Sequence, residues 1–279
     1  MEATTGGGPL AQLPKAAEEL LHTLSSLNVN GQPLDQGHLV LTNYLFFMFI
    51  AIIFLGVIML IAVRKLAMVP NHKLSNAVEA IAEFIRNDIA VAMIGHDGTK
   101  YFSFLATVFF FILANNIIGL IPGCKPGTGT MGVTVALSTT VFIFFNSVGF
   151  KNQGLWGYIK SFAPAGVPFP INLIVWLIEV FSAFLRIFTL AVRLFANMYA
   201  GHIILGIFAL LAALFTEPLV HAIQTGQNVG GAAVGALPAI GWILLMTALY
   251  LLEVLVAFVQ AYVFTILSAV YIGAAAHEH

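Results

Sequence analysis

Apolar residues along this chain are gathered into long runs with almost no charge, and these runs predict helices that cross a membrane. The first run covers residues 39–63 and ends at Arg64 and Lys65, while residues 101–121 and 131–150 form two charge-free runs further along. About 20 apolar residues in a helix span the roughly 30 Å of hydrocarbon in a bilayer. The pattern therefore predicts three membrane helices before residue 151.

The last two apolar segments are longer than an upright crossing requires. Residues 171–216 are mostly apolar and contain no proline, which permits about 69 Å of unbroken helix. The final segment, residues 237–276, has Glu253 as its only charged residue. We expect two long, strongly tilted helices at about 171–222 and 237–276. A broken helix that crosses the membrane twice is the alternative that the sequence leaves open.

A segment of mixed polarity lies between the first two apolar runs and predicts an amphipathic helix on the membrane surface, at about residues 73–96. Its apolar residues recur at helical spacing and face away from Glu83 and Arg86. The members of this apolar stripe are Leu74, Val78, Ile81, Ile85, Ile89 and Met93. A helix of this kind lies along the membrane rather than across it.

Composition supports an integral membrane protein. Hydrophobic residues make up 60% of the 279 residues and charged residues only 8%, whereas a soluble domain carries about 25% charged residues. The net charge of -1 argues against a nucleic-acid partner, and the single cysteine, Cys124, excludes an internal disulfide. No residues show metal-ligand spacing, and we expect neither a metal nor a cofactor. The predicted fold is all-α, with about five membrane helices plus the surface helix.

Basic residues in the connecting segments predict the orientation. Residues 64–100 carry five Lys or Arg and residues 151–170 carry two, whereas residues 122–130 carry one and residues 223–236 none. The positive-inside rule then places the first two segments in the cytoplasm. Prolines predict a loop at 151–170, and glycines predict another at 223–236. The polar residues 1–38 form an outer-side N-terminal segment before a single membrane domain, 39–279, and the C-terminus lies inside.

Ionisable residues within the apolar segments are the candidates for function. Glu179, Arg186 and Arg193 are spaced by seven, nearly two helical turns, so they share one face. Asn197 and Gly201 continue that face at steps of four. Arginine stays charged, and burying it at the bilayer centre costs from about 2.5 to more than 10 kcal/mol. Such a residue needs a partner or a water-filled cavity. For Glu179 and Arg186, a structural ion pair is the alternative interpretation.

The last helix carries a second polar face, formed by Glu253 and Gln260, which are also seven apart. The polar faces of two membrane helices must contact each other or water. His202 lies off the Arg193 face, and a passive hydrogen-bonded histidine is one interpretation of it. Asn115 and Asn116, in the second membrane run, are candidates for hydrogen bonds between helices.

The segment from Arg193 to His202 reads RLFANMYAGH, and with Glu253 and Gln260 it resembles subunit a of the F-type ATP synthase. The similarity covers about residues 39–279 and includes FILANNIIGLIPG at residues 111–123. It implies a stator subunit whose two long tilted helices press against a rotating ring of c subunits. It also implies the b subunits of the peripheral stalk and the remaining ATP synthase subunits as partners, and a bacterial inner membrane as the location.

The resemblance also implies roles for individual residues. Arg193 matches the family's indispensable arginine, which controls proton loss from the ring carboxylate. His202 and Glu253 match a pair that lines the outer half-channel, although many bacterial members have the acid and the histidine exchanged. Glu179 matches a residue near the cytoplasmic half-channel. The candidate channel residues are thus Glu179, Arg186, Asn197, His202, Glu253, Gln260 and Asn116.

Two other classes of protein compete with a proton-conducting subunit. A secondary transporter with an intramembrane anion site at Arg193 would keep the arginine, but such proteins show internal repeats and helices broken by Gly or Pro in both halves. A membrane scaffold leaves the aligned polar faces unexplained. The sequence shows no repeat, which favours proton translocation.

Overall fold

The computed structural model describes residues 43–64, 73–121, 124, 126–161, 171–226 and 229–276, and these ranges are helices and turns without a strand. The helices are α1 Asn43–Arg64, α2 Lys73–Phe84, α3 Gly98–Leu120, α4 Met131–Ser161, α5 Ile171–Thr225, α6 Val229–Gly235 and α7 Leu237–Ala276. Five helical stretches in these ranges are long and apolar enough to cross a membrane. The all-α membrane fold is confirmed. The predicted segment 1–38 lies outside the described residues.

The predicted amphipathic helix is present and packs against protein, while its location on the membrane surface stays a prediction. α2 continues into a π-helical segment, Ile85–Val91, and one α-helical turn, Ala92–Ile94. This segment packs against α3, and Ile85 and Ile89 are completely buried. The wider π-helical turn shifts the buried face by one residue, so Ile94 is buried and Met93 is 39% exposed. The predicted stripe is therefore correct from Val78 to Ile89 and wrong at Met93, while the Leu74 side chain lies outside the described part of the structure.

The prediction of a loop at 151–170 is wrong for its first part. α4 continues to Ser161 after a kink at Gly154, where φ is 72°, a conformation that glycine adopts without strain. The chain folds back so far that a Cβ on Gly149 would lie 2.9 Å from Cζ of Tyr158. The prolines that suggested the loop all lie at 164–170, beyond the end of α4. Residues 162–170 lie outside the described part of the chain.

The glycine-rich segment 223–236 is also more helical than expected. α5 runs for 55 residues to Thr225, with Pro218 inside it, so it passes the predicted end at 222. α6 follows after a break at Gly226, where φ is 68°. Backbone groups in a membrane must form internal hydrogen bonds, which favours helix even where glycine weakens it. The prediction of a loop is wrong for most of this segment.

α5 and α7 are the long helices that the sequence predicts. The 55 residues of α5 and the 40 residues of α7 rise about 82 and 60 Å, far more than an upright crossing needs. α5 is one helix rather than two short ones, which removes the alternative of a broken helix there. Length of this kind is accommodated in a bilayer by tilt and bending.

The chain divides into two compact units whose boundary cuts both long helices. One unit contains Tyr199–Val256, and the other contains Pro33–Met198 with Ala257–His279. The core of the larger unit is built from bulky side chains of α3 and α7, among them Phe109 and Phe264, and from the buried isoleucines after α2. Leu190 and Leu194 of α5 belong to the same core.

Candidate functional site

Glu179 and Arg186 form an ion pair along one face of α5. The Arg186 Nη2 donates to Glu179 Oε1 at 2.8 Å, and the side chains are 26% and 42% exposed. Seven residues of helix rise about 10.5 Å, so the two side chains meet only because both extend along the helix axis. The ion pair that the sequence offered as an alternative interpretation is confirmed.

Arg186 also contacts the last helix. Its guanidinium carbon lies 5.2 Å from the ring centroid of Tyr271 on α7, within the range of a cation–π interaction. The charge of Arg186 also acts on Tyr158, in the folded-back end of α4. Burial raises the pKa of the Tyr158 phenol, and the charge of Arg186 partly opposes this rise. Sequence reasoning missed both tyrosines. Tyr271 could have been found, because it lies eleven residues after Gln260 and thus on nearly the same face.

Arg193 is exposed on α5. Within the ranges that the structure describes, no carboxylate lies within 4.0 Å of its guanidinium, since the ion pairs there join other residues. Leu190 and Leu194 are buried, and their packing turns the neighbouring Arg193 outward, beside the exposed Ala196. The structure therefore presents an uncompensated charge, next to a small residue, on a helix of membrane-spanning length.

The proximity of Gln260 and Asn197 to Arg193 stays a prediction. Arg186 and Tyr271 are in contact, and if α5 and α7 run antiparallel from that contact, eleven residues along each helix bring Asn197 level with Gln260. Arg193 is four residues away, or about 6 Å along the axis. Gln260 is only 6% exposed, and its Nε2 has no protein partner, so its amide is free to bind water. Asn197 is half-buried.

Asn116 holds helices together. Its Nδ2 donates to the carbonyl oxygen of Ala257 at 3.2 Å, and its Oδ1 accepts from Thr128 Oγ1 at 2.9 Å. Asn116 is completely buried, so both ends of its amide are engaged by protein. Asn115 bonds within its own helix, from Nδ2 to the carbonyl oxygen of Phe111 at 2.9 Å. The geometry favours the interhelical role for Asn116 over direct proton handling.

The smaller unit contains two more of the predicted site residues, Glu253 and His202. Glu253 is 8% exposed, and neither carboxylate oxygen has a protein partner. Its carboxylate lies directly against Gly201: a Cβ there would overlap Oε1 and lie 2.9 Å from Cδ. His202, the next residue, is half-buried, and its Nε2 has no protein partner. Buried polar atoms without protein partners are the places where water binds.

The structure does not pair His202 directly with Glu253. No ion pair within 4.0 Å joins them in the described ranges, although Glu253 touches the residue before His202. Farther along the same unit, the rings of Phe208 and Trp242 lie 5.8 Å apart. Together with the contact between Gly201 and Glu253, this shows that the two helices run antiparallel in this unit, so the acid and the imidazole lie on facing helices.

Comparisons with known proteins agree with the motif. The profile of the family described as ATP synthase A chain matches residues 45–273. ATP synthase subunit a of Cereibacter sphaeroides is 35% identical over 90% of this chain and 87% of its own length. The Rhodopseudomonas palustris subunit a is 38% identical, over 85% of this chain and 88% of its own length. The chain matches ATP synthase subunit a 2 of Chlorobaculum tepidum at 37% identity, over 63% of that protein's length.

Proposed function

Because this chain belongs to the ATP synthase A chain family, we propose that it conducts protons through the membrane sector of an F-type ATP synthase, against a rotating ring of c subunits. The observation that carries this proposal is the exposed, unpaired Arg193 on a membrane-length apolar helix. A charge in that position needs an anionic partner. A carboxylate on the ring supplies one.

Arg193 controls the protonation of that ring carboxylate. Facing lipid, the carboxylate is desolvated and stays protonated. At about 4 Å from Arg193 and an effective dielectric constant of 20, the ionised form gains about 4 kcal/mol. The proton therefore leaves as the carboxylate reaches Arg193. Arginine does not give up its own proton, so it also blocks a direct leak past the ring.

Two half-channels bring protons to the ring and take them away. Glu253 and His202, with their unpartnered buried atoms, form the outer half-channel. Glu179 belongs to the inner one, while Asn197 and Gln260 are polar neighbours of Arg193 between them. A proton that enters on one side must travel with the ring before it leaves on the other. The membrane field supplies about 2.3 kcal/mol per charge for each 100 mV.

We further propose the partners and the location. The exposed face around Arg193 binds the c ring, and the b subunits and the rest of the synthase complete the stator. The membrane is the bacterial inner membrane, with the N-terminus outside and the C-terminus in the cytoplasm. The transporter alternative has no such ring, so purification of the complex with its c subunits separates the two functions.

The decisive experiment replaces Arg193 in the assembled complex. Complexes in vesicles are supplied with ATP, and acidification is followed with a pH-sensitive dye. We expect Arg193→Ala to abolish acidification while ATP hydrolysis and assembly persist. Arg193→Lys should fail as well, because lysine lacks the planar fork and loses its proton when desolvated.

Thr216→Ala is the matched control for this experiment. Thr216 lies on α5 23 residues after Arg193, and its hydroxyl donates within its own helix to the carbonyl oxygens of Ala212 at 3.0 Å and Ala213 at 3.1 Å. Its removal should leave acidification near the wild-type rate. Wild-type acidification by Arg193→Ala would overturn the proposed function.

A further inference from the structure

Arg186 is a charged residue to which the proposed mechanism gives no task, yet it contacts a residue of its own helix and one of another helix. It binds Glu179 on its own helix at 2.8 Å and lies over Tyr271 of α7 at 5.2 Å. Its charge also acts on the buried Tyr158 at the end of α4. The contacts with Glu179 and Tyr271 restrict the freedom of the Arg186 side chain to move.

The geometry of the ion pair is asymmetric. In an α-helix, side chains lean toward the N-terminus, so Arg186 reaches back toward Glu179 naturally. Glu179 must instead extend toward the C-terminus, against its usual lean, to meet Arg186 Nη2 at 2.8 Å. Its carboxylate is thereby carried along α5 in the direction of Arg193. Without Arg186, nothing else among the described contacts would hold it there.

Tyr271 fixes the position of the arginine. The ring face offers the guanidinium a second attractive contact, and the ring itself lies 5.9 Å from the ring of Phe145 on α4. The aromatic contact needs the ring but not the phenol oxygen. Because Arg186 binds Glu179, the packing of Tyr271 between α7 and α4 also determines where the Glu179 carboxylate lies.

We propose that Arg186, clamped against Tyr271, is a positioning residue that extends the Glu179 carboxylate toward Arg193 and so sets where the inner half-channel ends. This inference rests on the proposed function, which assigns Glu179 to that half-channel. Arg186 acts through Glu179 and does not itself carry protons. The proposal therefore predicts that its effect disappears when Glu179 is already disabled.

The test measures passive proton flux through the membrane sector in vesicles, with the catalytic head removed and a potassium diffusion potential as the driving force. Arg186→Gln should lower the flux about fivefold, the effect of losing one modest charge contact. Glu179→Gln should lower it at least as much. The double variant should conduct no worse than Glu179→Gln alone. A double variant that falls by the product of the two single effects would overturn the proposal.

Conservative variants distinguish a role of Arg186 and Tyr271 in positioning the Glu179 carboxylate from a role in helix packing alone. Tyr271→Phe keeps the ring and should conduct normally, whereas Tyr271→Leu loses the ring face and should resemble Arg186→Gln. Glu179→Asp keeps the charge but is one methylene too short to reach Arg186, so it should lose most of the flux. Normal flux in Glu179→Asp would contradict the inference even if Arg186→Gln failed to assemble, which co-purification of the c ring reports.

The same measurements distinguish this inference from the proposed function. If Arg193→Ala abolishes acidification but Glu179→Gln conducts like the wild type, the positioning role is wrong and the proton-conducting function stands. If Arg193→Ala acidifies vesicles normally, the proposed function is wrong and the positioning role falls with it.

Discussion

Gly201 determines where the Glu253 carboxylate lies, because the space that a Cβ would occupy is filled by that carboxylate. We predict that Gly201→Ala displaces Glu253 and sharply reduces ATP-driven acidification of vesicles. Gly206→Ala is the matched control: it lies on the same helix, and a Cβ there meets nothing within 4 Å. Equal acidification by the two variants would show that the close packing at Gly201 is not needed for proton entry.

Glu253 itself should be needed as an acid. Its carboxylate is buried without a protein partner, in a helix with no other charged residue. We expect Glu253→Leu to slow passive proton flux strongly and Glu253→Asp to retain part of it, since aspartate keeps the titrating group. Cysteines at 202 and 253, in a chain with Cys124 replaced, should react with small aqueous thiol reagents from the outer side. Lack of reaction from that side would place the outer half-channel elsewhere.

The sequence revealed charged site residues better than their partners. Arg193, Glu179 and Glu253 stand out because an ionisable residue in an apolar run is costly. Tyr271 does not stand out, because aromatic residues are ordinary in membrane helices. Gly201 lies on the face that Arg193 and Asn197 share, but a small residue does not reveal what packs against it. Their importance comes from what faces them across a helix pair, which a single sequence does not state.

At the scale of elements, the kink in α4 depends on one glycine. Gly154 has φ of 72°, and an added Cβ would meet no atom within 4 Å. Any loss of stability caused by a side chain there therefore comes from backbone strain. We predict that Gly154→Ala lowers stability by about 1–2 kcal/mol. Gly132→Ala, in the same helix with open space and no positive φ, should be neutral or slightly stabilising. Thermal unfolding of the purified complex compares them, and equal midpoints would contradict the strained position.

The lengths of the apolar runs predicted which segments are helices, but they did not predict where those helices end. α4 passed its predicted limit because the prolines that suggested a loop all lie at 164–170, and α5 passed its limit because glycine was interpreted as a loop signal. In a membrane the backbone has no water to bind, so helices continue through residues that would end them in solution. The sequence did not predict the π-helical segment either, because the spacing of Ile85 and Ile89 also fits an ordinary α-helix.

At the scale of the whole molecule, orientation in the membrane stays a prediction. The basic segments place residue 96 in the cytoplasm and residue 224 outside, and both His96 and Gln224 are exposed. Cysteines at these positions, in a chain without Cys124, should react with membrane-impermeant reagents from opposite sides. Labelling of residue 96 from the outer side would invert the topology and exchange the two half-channels.

The overall architecture was accessible from composition and run length, because a bilayer restricts the chain to a few helices of known minimum length. The division into two compact units was not. Its boundary falls inside α5 and α7, where neither a proline nor a change in hydropathy marks it. Packing between distant segments sets that boundary, and no local pattern records such packing.

The outward-facing Arg193 has a consequence for biogenesis. A newly inserted chain that has not met its partners holds this guanidinium against acyl chains or headgroups, at a cost of about 2.5 kcal/mol or more at the bilayer centre. On the proposed function, the unassembled chain is therefore less stable in the membrane than the assembled one, because the ring carboxylate that pairs with Arg193 also stabilises the newly inserted chain. On the proposed function, the exposed Arg193 guanidinium, which no carboxylate approaches within 4.0 Å among the described residues, gives membrane quality control a physical signal that distinguishes an unassembled subunit from an assembled one.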